Sequence, residues 1–239
     1  EFLEKATGKR LDSGRLKETI EISRVANNYM IDIHQLRKKV PCPLRTRDAF
    51  NSFGMRIAGD GMRDSLNFFQ TQLKEVKDRV ARGVGVLPEE KYRLVANGAY
   101  PFFAMDVIDW FQEEFGAIFV ADFFNLTAWH ELEKIDDPLE FMAQKSLYFF
   151  GLESLYGPTE NTIDQVAEEI GNYQVDGSVY FTHFGCKQAC GLQKIYRDKI
   201  LEKVGMPTVV VDMDISDPKV VSVDQIKNRI REYMSLLDG

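Results

Sequence analysis

Two cysteines, a histidine and two glycines lie within one short segment, His183-Phe-Gly-Cys-Lys-Gln-Ala-Cys-Gly191. A thiolate is the form of cysteine that attacks as a nucleophile or binds a metal ion. If a helix begins near Lys187, the partial positive charge at its amino end favours the thiolate form of Cys186 and an anionic ligand beside it. Free cysteines are also common as small buried apolar residues. The spacing leaves both interpretations open for Cys186 and favours the structural one for Cys190.

The segments around these cysteines predict a parallel β-α-β unit. A short apolar run begins at Ser178 and leads into the cysteine loop, and an amphipathic helix follows the loop. A turn at Gly205-Met-Pro207 then precedes a second β-branched run, Thr208-Val-Val-Val-Asp212. In open parallel sheets, ligands bind in the crevice beyond the carboxyl ends of the strands. The topology therefore predicts that Cys186 lies at a ligand site.

The other histidines, aspartates and Cys42 are weaker candidates for contact with a ligand. His183 can hydrogen-bond a cluster sulfide or a substrate carbonyl, or it can be a satisfied histidine at the rim of the site, and both interpretations stay open. Cys42 lies between two prolines, far away in sequence, and is interpreted as structural. The remaining candidates are assigned to structural or turn roles rather than to ligand contact: His34, His130, Asp212, Asp214 and Asp217.

The amino-terminal third of the chain predicts helices. Apolar residues at intervals of three and four, from Ile22 to Val40, predict a long helix that Asp12 or Ser13 caps and Pro41 ends. We expect residues 1–88 to form a helical region that packs against the rest of the chain.

The hydrophobic period changes at Tyr92, where short β-branched runs begin to alternate with helical segments. Residues 89–239 are therefore expected to form an α/β domain that carries the cysteine loop. Its core is predicted to be a parallel, doubly wound, flavodoxin-like sheet of about four strands. Two capping boxes are predicted at helix starts, Thr162 with Gln165 and Ser222 with Gln225.

Composition excludes several classes of function. The 239 residues are 44% hydrophobic, enough for a core, and the net charge of −7 argues against a nucleic-acid-binding surface. No apolar run is long enough for a membrane span. The Gly-rich fingerprints of dinucleotide binding and of ATP hydrolysis are both absent. Three cysteines are too few for a disulfide framework, so a cytoplasmic location is expected.

Three motifs together resemble one known family. They are the loop His183-Phe-Gly-Cys-Lys-Gln188, the strand exit Gly205-Met-Pro-Thr-Val-Val-Val-Asp212-Met-Asp214 followed by Asp217, and the opening helix Phe2-Leu-Glu-Lys-Ala-Thr-Gly-Lys-Arg10. The chain is similar over essentially its whole length to the carboxy-terminal part of 2-hydroxyacyl-CoA dehydratase and benzoyl-CoA reductase subunits. The resemblance implies that residues 1–88 are the middle part of a longer subunit.

The resemblance also implies a cofactor and partners. Family members hold a 4Fe–4S cluster through three cysteines, and a separate ATP-hydrolysing activator supplies an electron of very low potential. The acyl-CoA thioester then becomes a ketyl radical anion. Cys186 matches one cluster cysteine, with His183, Lys187 and Gln188 as further cofactor-binding candidates. The other two ligands are expected in an amino-terminal lobe outside this sequence, since Cys42 and Cys190 do not match them.

Three functions follow from this resemblance as expectations. The first is the iron–sulfur subunit of a radical enzyme that dehydrates 2-hydroxyacyl-CoA or reduces a benzoyl-CoA-type ring, paired with a homologous subunit in a homo- or heterodimer. The second is a double-cluster or electron-transfer iron–sulfur protein of the same superfamily without an acyl-CoA substrate. The third is a cluster-free subunit that only completes a heterodimer. The sequence does not choose the acyl group.

Overall fold

The computed structural model describes residues 1–126, 135–147 and 157–238. The helices in these ranges are α1 (Phe2–Thr7), α2 (Ser13–Leu36), α3 (Thr46–Ala58), α4 (Arg63–Arg82), α5 (Asp106–Phe115), α6 (Phe123–Leu126), α7 (Pro138–Leu147), α8 (Thr159–Tyr173), α9 (Lys187–Val204) and α10 (Val223–Leu237). The strands are β1 (Tyr92–Gly98), β2 (Ala117–Asp122), β3 (Gly177–His183) and β4 (Thr208–Met213). The described residues before Tyr92 contain helices and turns but no strand, as predicted.

Helices α2 and α4 pack along each other and form the core of the helical region. Asp12 caps α2, because its side chain accepts a hydrogen bond from the backbone N–H of Arg15 at 3.0 Å. The buried face of α2 centres on Ala26, Met30 and Ile33. The expected continuation of this face to Val40 is wrong, because α2 ends at Leu36 and the side chain of Val40 is exposed.

The four strands form one parallel sheet in the order β2-β1-β3-β4, which confirms the predicted flavodoxin-like arrangement. One face of the sheet packs against apolar residues of α5 and α10. The opposite face packs against apolar residues of α8 and α9. Both faces are covered, so the inner strands consist of nearly continuous buried residues, as is usual for parallel sheets.

A topological switch point lies between β1 and β3. The chain leaves β1 through α5 on one face of the sheet and leaves β3 through α9 on the other. Gly98, at the end of β1, has a φ of +74°, and a Cβ there would lie 1.9 Å from the carbonyl oxygen of Phe181 in β3. This close approach needs glycine. Ligands of open α/β sheets bind outside the carboxyl ends of the strands at such a point.

A buried ion pair joins the helical region to the sheet. Arg37, at the end of α2, donates from Nη1 to the Asp122 carboxylate at 3.3 Å and from Nη2 to the carbonyl oxygen of Phe119 at 2.7 Å. Asn125 Nδ2 also donates to both Asp122 oxygens, at 2.7 and 2.8 Å. Cys42 belongs to the buried cluster that contains residues of the sheet, α8 and α9. The helical region therefore packs against the sheet as expected, while the division at residues 88/89 stays a prediction.

The structure corrects one of the two predicted capping boxes and confirms the other. Thr162 and Gln165 do not form a capping box, because α8 begins three residues earlier at Thr159 with Pro158 before it. Ser222 and Gln225 do form one, with both reciprocal hydrogen bonds present. The sequence also predicts a helix around Leu139–Leu155, of which the structure describes the residues as far as Leu147. His130 lies outside the described residues. Among the described helices, none combines the length and apolarity that a membrane crossing requires.

Candidate functional site

Cys186 is the N-cap residue of α9 and lies three residues after His183, the last residue of β3. Its Sγ accepts a hydrogen bond from the backbone N–H of Ala189 at 3.4 Å, and its own N–H donates to the carbonyl oxygen of His183 at 2.9 Å. The thiol therefore sits beside the first turn of the helix, where backbone N–H groups lack intrahelical acceptors. This geometry places backbone N–H donors beside the Cys186 sulfur and any group bound to it.

A cavity of about 240 Å³ opens beside Cys186 at the switch point between β1 and β3. It is bordered by residues at or just after the carboxyl ends of β1, β2 and β3. One face of α8 and one face of α9 complete the lining. The described lining residues are Asn97, Gly98, Ala99, Phe123, Phe124, Thr159, Thr162, Ile163, Val166, Tyr180, His183, Cys186, Gln188, Ala189, Leu192 and Tyr196. The sequence-predicted position of Cys186 and the cavity therefore coincide.

Uncharged polar groups lie along the cavity wall nearest the sheet. Asn97 Nδ2 donates to the Tyr196 hydroxyl, which also contacts Ser178 Oγ at 3.3 Å. The Tyr180 hydroxyl donates to the carbonyl oxygen of Ala189 at 3.2 Å. Burial raises the pKa of Tyr180 and of Tyr196. Both phenols therefore stay protonated near neutral pH and act as hydrogen-bonding groups rather than as bases.

His183 lies at the rim and is held by the segment after β4. Its Nδ1 accepts from the backbone N–H of Ile215 at 3.4 Å and lies 3.5 Å from the Asp214 carboxylate. Backbone N–H groups of Ser216 and Asp217 donate to Asp214 and lower its pKa, and His183 lowers it further. The turn role predicted for Asp214 is therefore present, in addition to its contact with His183.

The other predicted residues fall in different places. Gln188 borders the cavity, whereas Lys187 is exposed and is not among the lining residues. Cys190 lies one turn into α9, where its thiol donates to the carbonyl oxygen of His183 at 3.3 Å, outside the cavity lining. Cys42 is fully buried in the core. The structure thus brings together Cys186, His183 and Gln188 and separates them from Lys187 and Cys42.

Several lining residues escaped the sequence reasoning. Tyr196, Leu192 and Gln188 recur at intervals of four along α9, a spacing that places them on one face of the helix. Asn97 directly precedes the glycine that ends β1, the position from which a side chain reaches the switch point. These two patterns were the available sequence clues. The contributions of Thr159 and Thr162 depend on how α8 crosses the sheet, which no local pattern specifies.

The fold is a parallel α/β sheet with a cysteine-capped helix at its switch point, an arrangement in which ligands generally bind beyond the strand ends. Comparison with known families is more specific. The family model of the 2-hydroxyglutaryl-CoA dehydratase D-component matches residues 1–237, and the chain belongs to this family.

Curated relatives agree with this assignment at low identity. The chain is 24% identical over 256 residues to a benzoyl-CoA reductase subunit of Thauera aromatica, covering 99% of the chain and 57% of the relative. It is 22% identical over 232 residues to the (R)-phenyllactyl-CoA dehydratase alpha subunit of Clostridium sporogenes, covering 96% and 54%. With the (R)-2-hydroxyglutaryl-CoA dehydratase alpha subunit of Acidaminococcus fermentans it shares 19% over 261 residues, covering 99% and 48%. The chain spans about half the length of these relatives.

Proposed function

We propose that this chain is part of an iron–sulfur subunit of an enzyme that acts on acyl-CoA thioesters, by 2-hydroxyacyl-CoA dehydration or benzoyl-CoA-type ring reduction. The observation that carries the proposal is the position of Cys186, which caps α9 at the switch point and borders the cavity. Family membership supports it, because the names of the relatives are those of dehydratase and reductase subunits. Those names span benzoyl, phenyllactyl and 2-hydroxyglutaryl groups, so they leave the acyl group open.

The described residues fit only part of a 4Fe–4S site. Within the described ranges no group of three or more His, Cys, Asp or Glu side chains is placed to hold a metal ion. Cys186 offers one thiolate, whereas a cubane cluster is usually held by several cysteines. We therefore propose that Cys186 supplies one ligand and that the remaining ligands lie outside this chain.

The residues of this chain have three tasks in the proposed enzyme. The first turn of α9 presents backbone N–H groups beside the Cys186 sulfur, and hydrogen bonds to sulfur tune the potential of an iron–sulfur centre. The apolar walls, Phe123 and Phe124 among them, exclude water from the space next to Cys186. The protonated Tyr196 phenol and Asn97 amide give a bound ligand uncharged hydrogen-bonding partners.

The assembly is part of the same proposal. We propose a homologous subunit as the partner, an ATP-hydrolysing activator as the electron donor and the cytoplasm as the location. The subunit names of the relatives support a partner subunit.

The experiment compares Cys186→Ser with Cys190→Ser in the full-length, assembled enzyme. We expect Cys186→Ser to lose bound iron and thioester turnover, because a hydroxyl is a poor ligand for iron–sulfur chemistry. Cys190→Ser, the matched control on the same helix, should keep most of both. Iron and sulfide are measured chemically and turnover by chromatography of the CoA thioesters. The reverse pattern would place the functional thiol at Cys190 and contradict the proposal.

A further inference from the structure

The cavity beside Cys186 contains no permanently charged lining group in the described part of the chain. Its lining residues include no Lys, Arg, Asp or Glu, and His183 and Cys186 at the rim are the described lining groups that can carry a charge. The other lining side chains are uncharged polar groups or are aromatic or aliphatic. The apolar contributors are Phe123, Phe124, Ile163, Val166, Leu192 and the rings of Tyr180 and Tyr196.

The size and lining of the cavity suit a ring. A closed cavity of ~150 Å³ lined by Leu, Ile and Phe is large enough to bind benzene. The cavity beside Cys186, at about 240 Å³, has room for a ring and a short connecting chain. A two- or three-carbon group would leave most of this volume without apolar contacts, and the lost dispersion and burial weaken its binding.

A carboxylate is disfavoured at the same place. Moving an ionised carboxylate from water into an apolar environment carries a large free-energy cost unless a cation or several donors pair with it. The described lining offers hydroxyls and amides but no cationic Lys or Arg side chain; the uncharged polar residues are Asn97, Thr159, Tyr180, Gln188 and Tyr196. Asn97 and Tyr196 already hydrogen-bond to each other, and the Tyr180 hydroxyl donates to the carbonyl oxygen of Ala189. Thr162 Oγ1 is buried without a hydrogen-bond partner and also belongs to a lining residue. These groups suit a neutral hydroxyl or carbonyl oxygen rather than a charge.

We infer that this cavity holds the uncharged, aromatic or branched apolar acyl group of a thioester and rejects acyl chains that end in a carboxylate. The inference rests on the proposed function for the thioester and narrows the choice of acyl group that the proposal leaves open. The thioester sulfur and carbonyl then lie toward Cys186, which borders the cavity.

The test is isothermal titration of the full chain with four probes: 3-phenylpropanoyl-CoA, glutaryl-CoA, acetyl-CoA and free CoA. We expect 3-phenylpropanoyl-CoA to bind at least about tenfold more tightly than the other three, a discrimination within the range of an apolar pocket. Equal affinity for 3-phenylpropanoyl-CoA and glutaryl-CoA, or tighter binding of glutaryl-CoA, overturns the inference.

Two matched variants locate the effect. Leu192→Arg places a guanidinium in the cavity wall and should reverse the preference, favouring glutaryl-CoA by about tenfold. Ile195→Arg adds the same charge to the exposed face of α9, where the side chain is 49% exposed, and should leave the preference unchanged. If Leu192→Arg does not fold, Ala189→Phe serves as the second variant, because it fills the cavity and should lower the affinity for 3-phenylpropanoyl-CoA at least tenfold. The inference is overturned if Leu192→Arg prefers 3-phenylpropanoyl-CoA over glutaryl-CoA as strongly as the wild type does. If Ala189→Phe is the variant used, unchanged affinity for 3-phenylpropanoyl-CoA overturns it.

A probe without the nucleotide separates this inference from the proposed function. The N-acetylcysteamine thioester of 3-phenylpropanoate depends on the cavity alone, so it should also bind more tightly than its glutaryl counterpart. If this preference is present but the assembled enzyme turns over no CoA thioester, the cavity assignment stands and the proposed function fails. If CoA thioesters are turned over without discrimination between acyl groups, the proposed function stands and the cavity assignment fails.

Discussion

Replacing Asp122 with alanine should destabilise the protein strongly, because it leaves Arg37 buried without its counterion. The Arg37 and Asp122 side chains are each about 1% exposed, and the pair joins the end of α2 to the end of β2. Removing one partner of a buried ion pair typically costs about 3–5 kcal/mol. Since domains are stable by only about 5–15 kcal/mol, the loss is a large fraction of the total.

The assay is urea unfolding followed by circular dichroism, with a matched exposed pair as the control. Glu18 and Arg63 also connect two helices, but both side chains are more than half exposed, so Glu18→Ala should cost less than about 1 kcal/mol. The double variant Asp122→Ala/Arg37→Met should regain part of the loss, since it removes the unpaired charge. A cost for Asp122→Ala no larger than that for Glu18→Ala would refute the reasoning.

Three further predictions address the cluster, a buried thiol and a helix cap. The isolated chain should not retain a cluster after anaerobic reconstitution, and about four irons per chain would contradict this. Burial raises the pKa of Cys42, so its thiol stays protonated at pH 8. We therefore expect it to react with iodoacetamide only when the protein unfolds. Alkylation of the folded protein as fast as that of an exposed thiol would contradict the burial of Cys42. Ser222→Ala should lower the free energy of unfolding by about 1 kcal/mol through loss of the capping box, measured by urea unfolding.

The architecture could be predicted because its pattern is local. The alternation of β-branched runs with segments of helical period predicted the parallel sheet. The capping box at Ser222 predicted the start of α10 at Val223. The long helix was also predicted correctly, and Ile33 of its apolar face is buried, but the extension of that face to Val40 was wrong. The apolar pattern included Val40, whereas the structure buries the polar residues His34 and Arg37. Arg37 is buried because it contacts Phe119 and Asp122 of β2, and His34 contacts Arg37. Tertiary pairing across about 85 residues of sequence, as between Arg37 and Asp122, leaves no local pattern.

The position of Cys186 was predictable from the sequence, whereas the full set of side chains that line the cavity beside it was not. Cys186 was placed by the end of a strand and the start of a helix, both of which are local features. Lys187 is its neighbour in sequence, yet it points to solvent, because successive helix residues face directions about 100° apart. Tyr196 lies ten residues after Cys186, and its side chain still lines the cavity. Helical spacing, rather than proximity in sequence, decides which side chains line the site.

The most direct test of the central claim is differential alkylation of the cysteines in the assembled wild-type enzyme, before and after a chelator removes its iron. Trypsin cleaves after Lys187, so Cys186 and Cys190 fall on separate peptides that mass spectrometry can quantify. If Cys186 is a cluster ligand, it should react with iodoacetamide only after the iron is removed, whereas the reactivity of Cys190 should not change. Equal alkylation of Cys186 before and after chelation, or protection of Cys190 instead, would contradict the account.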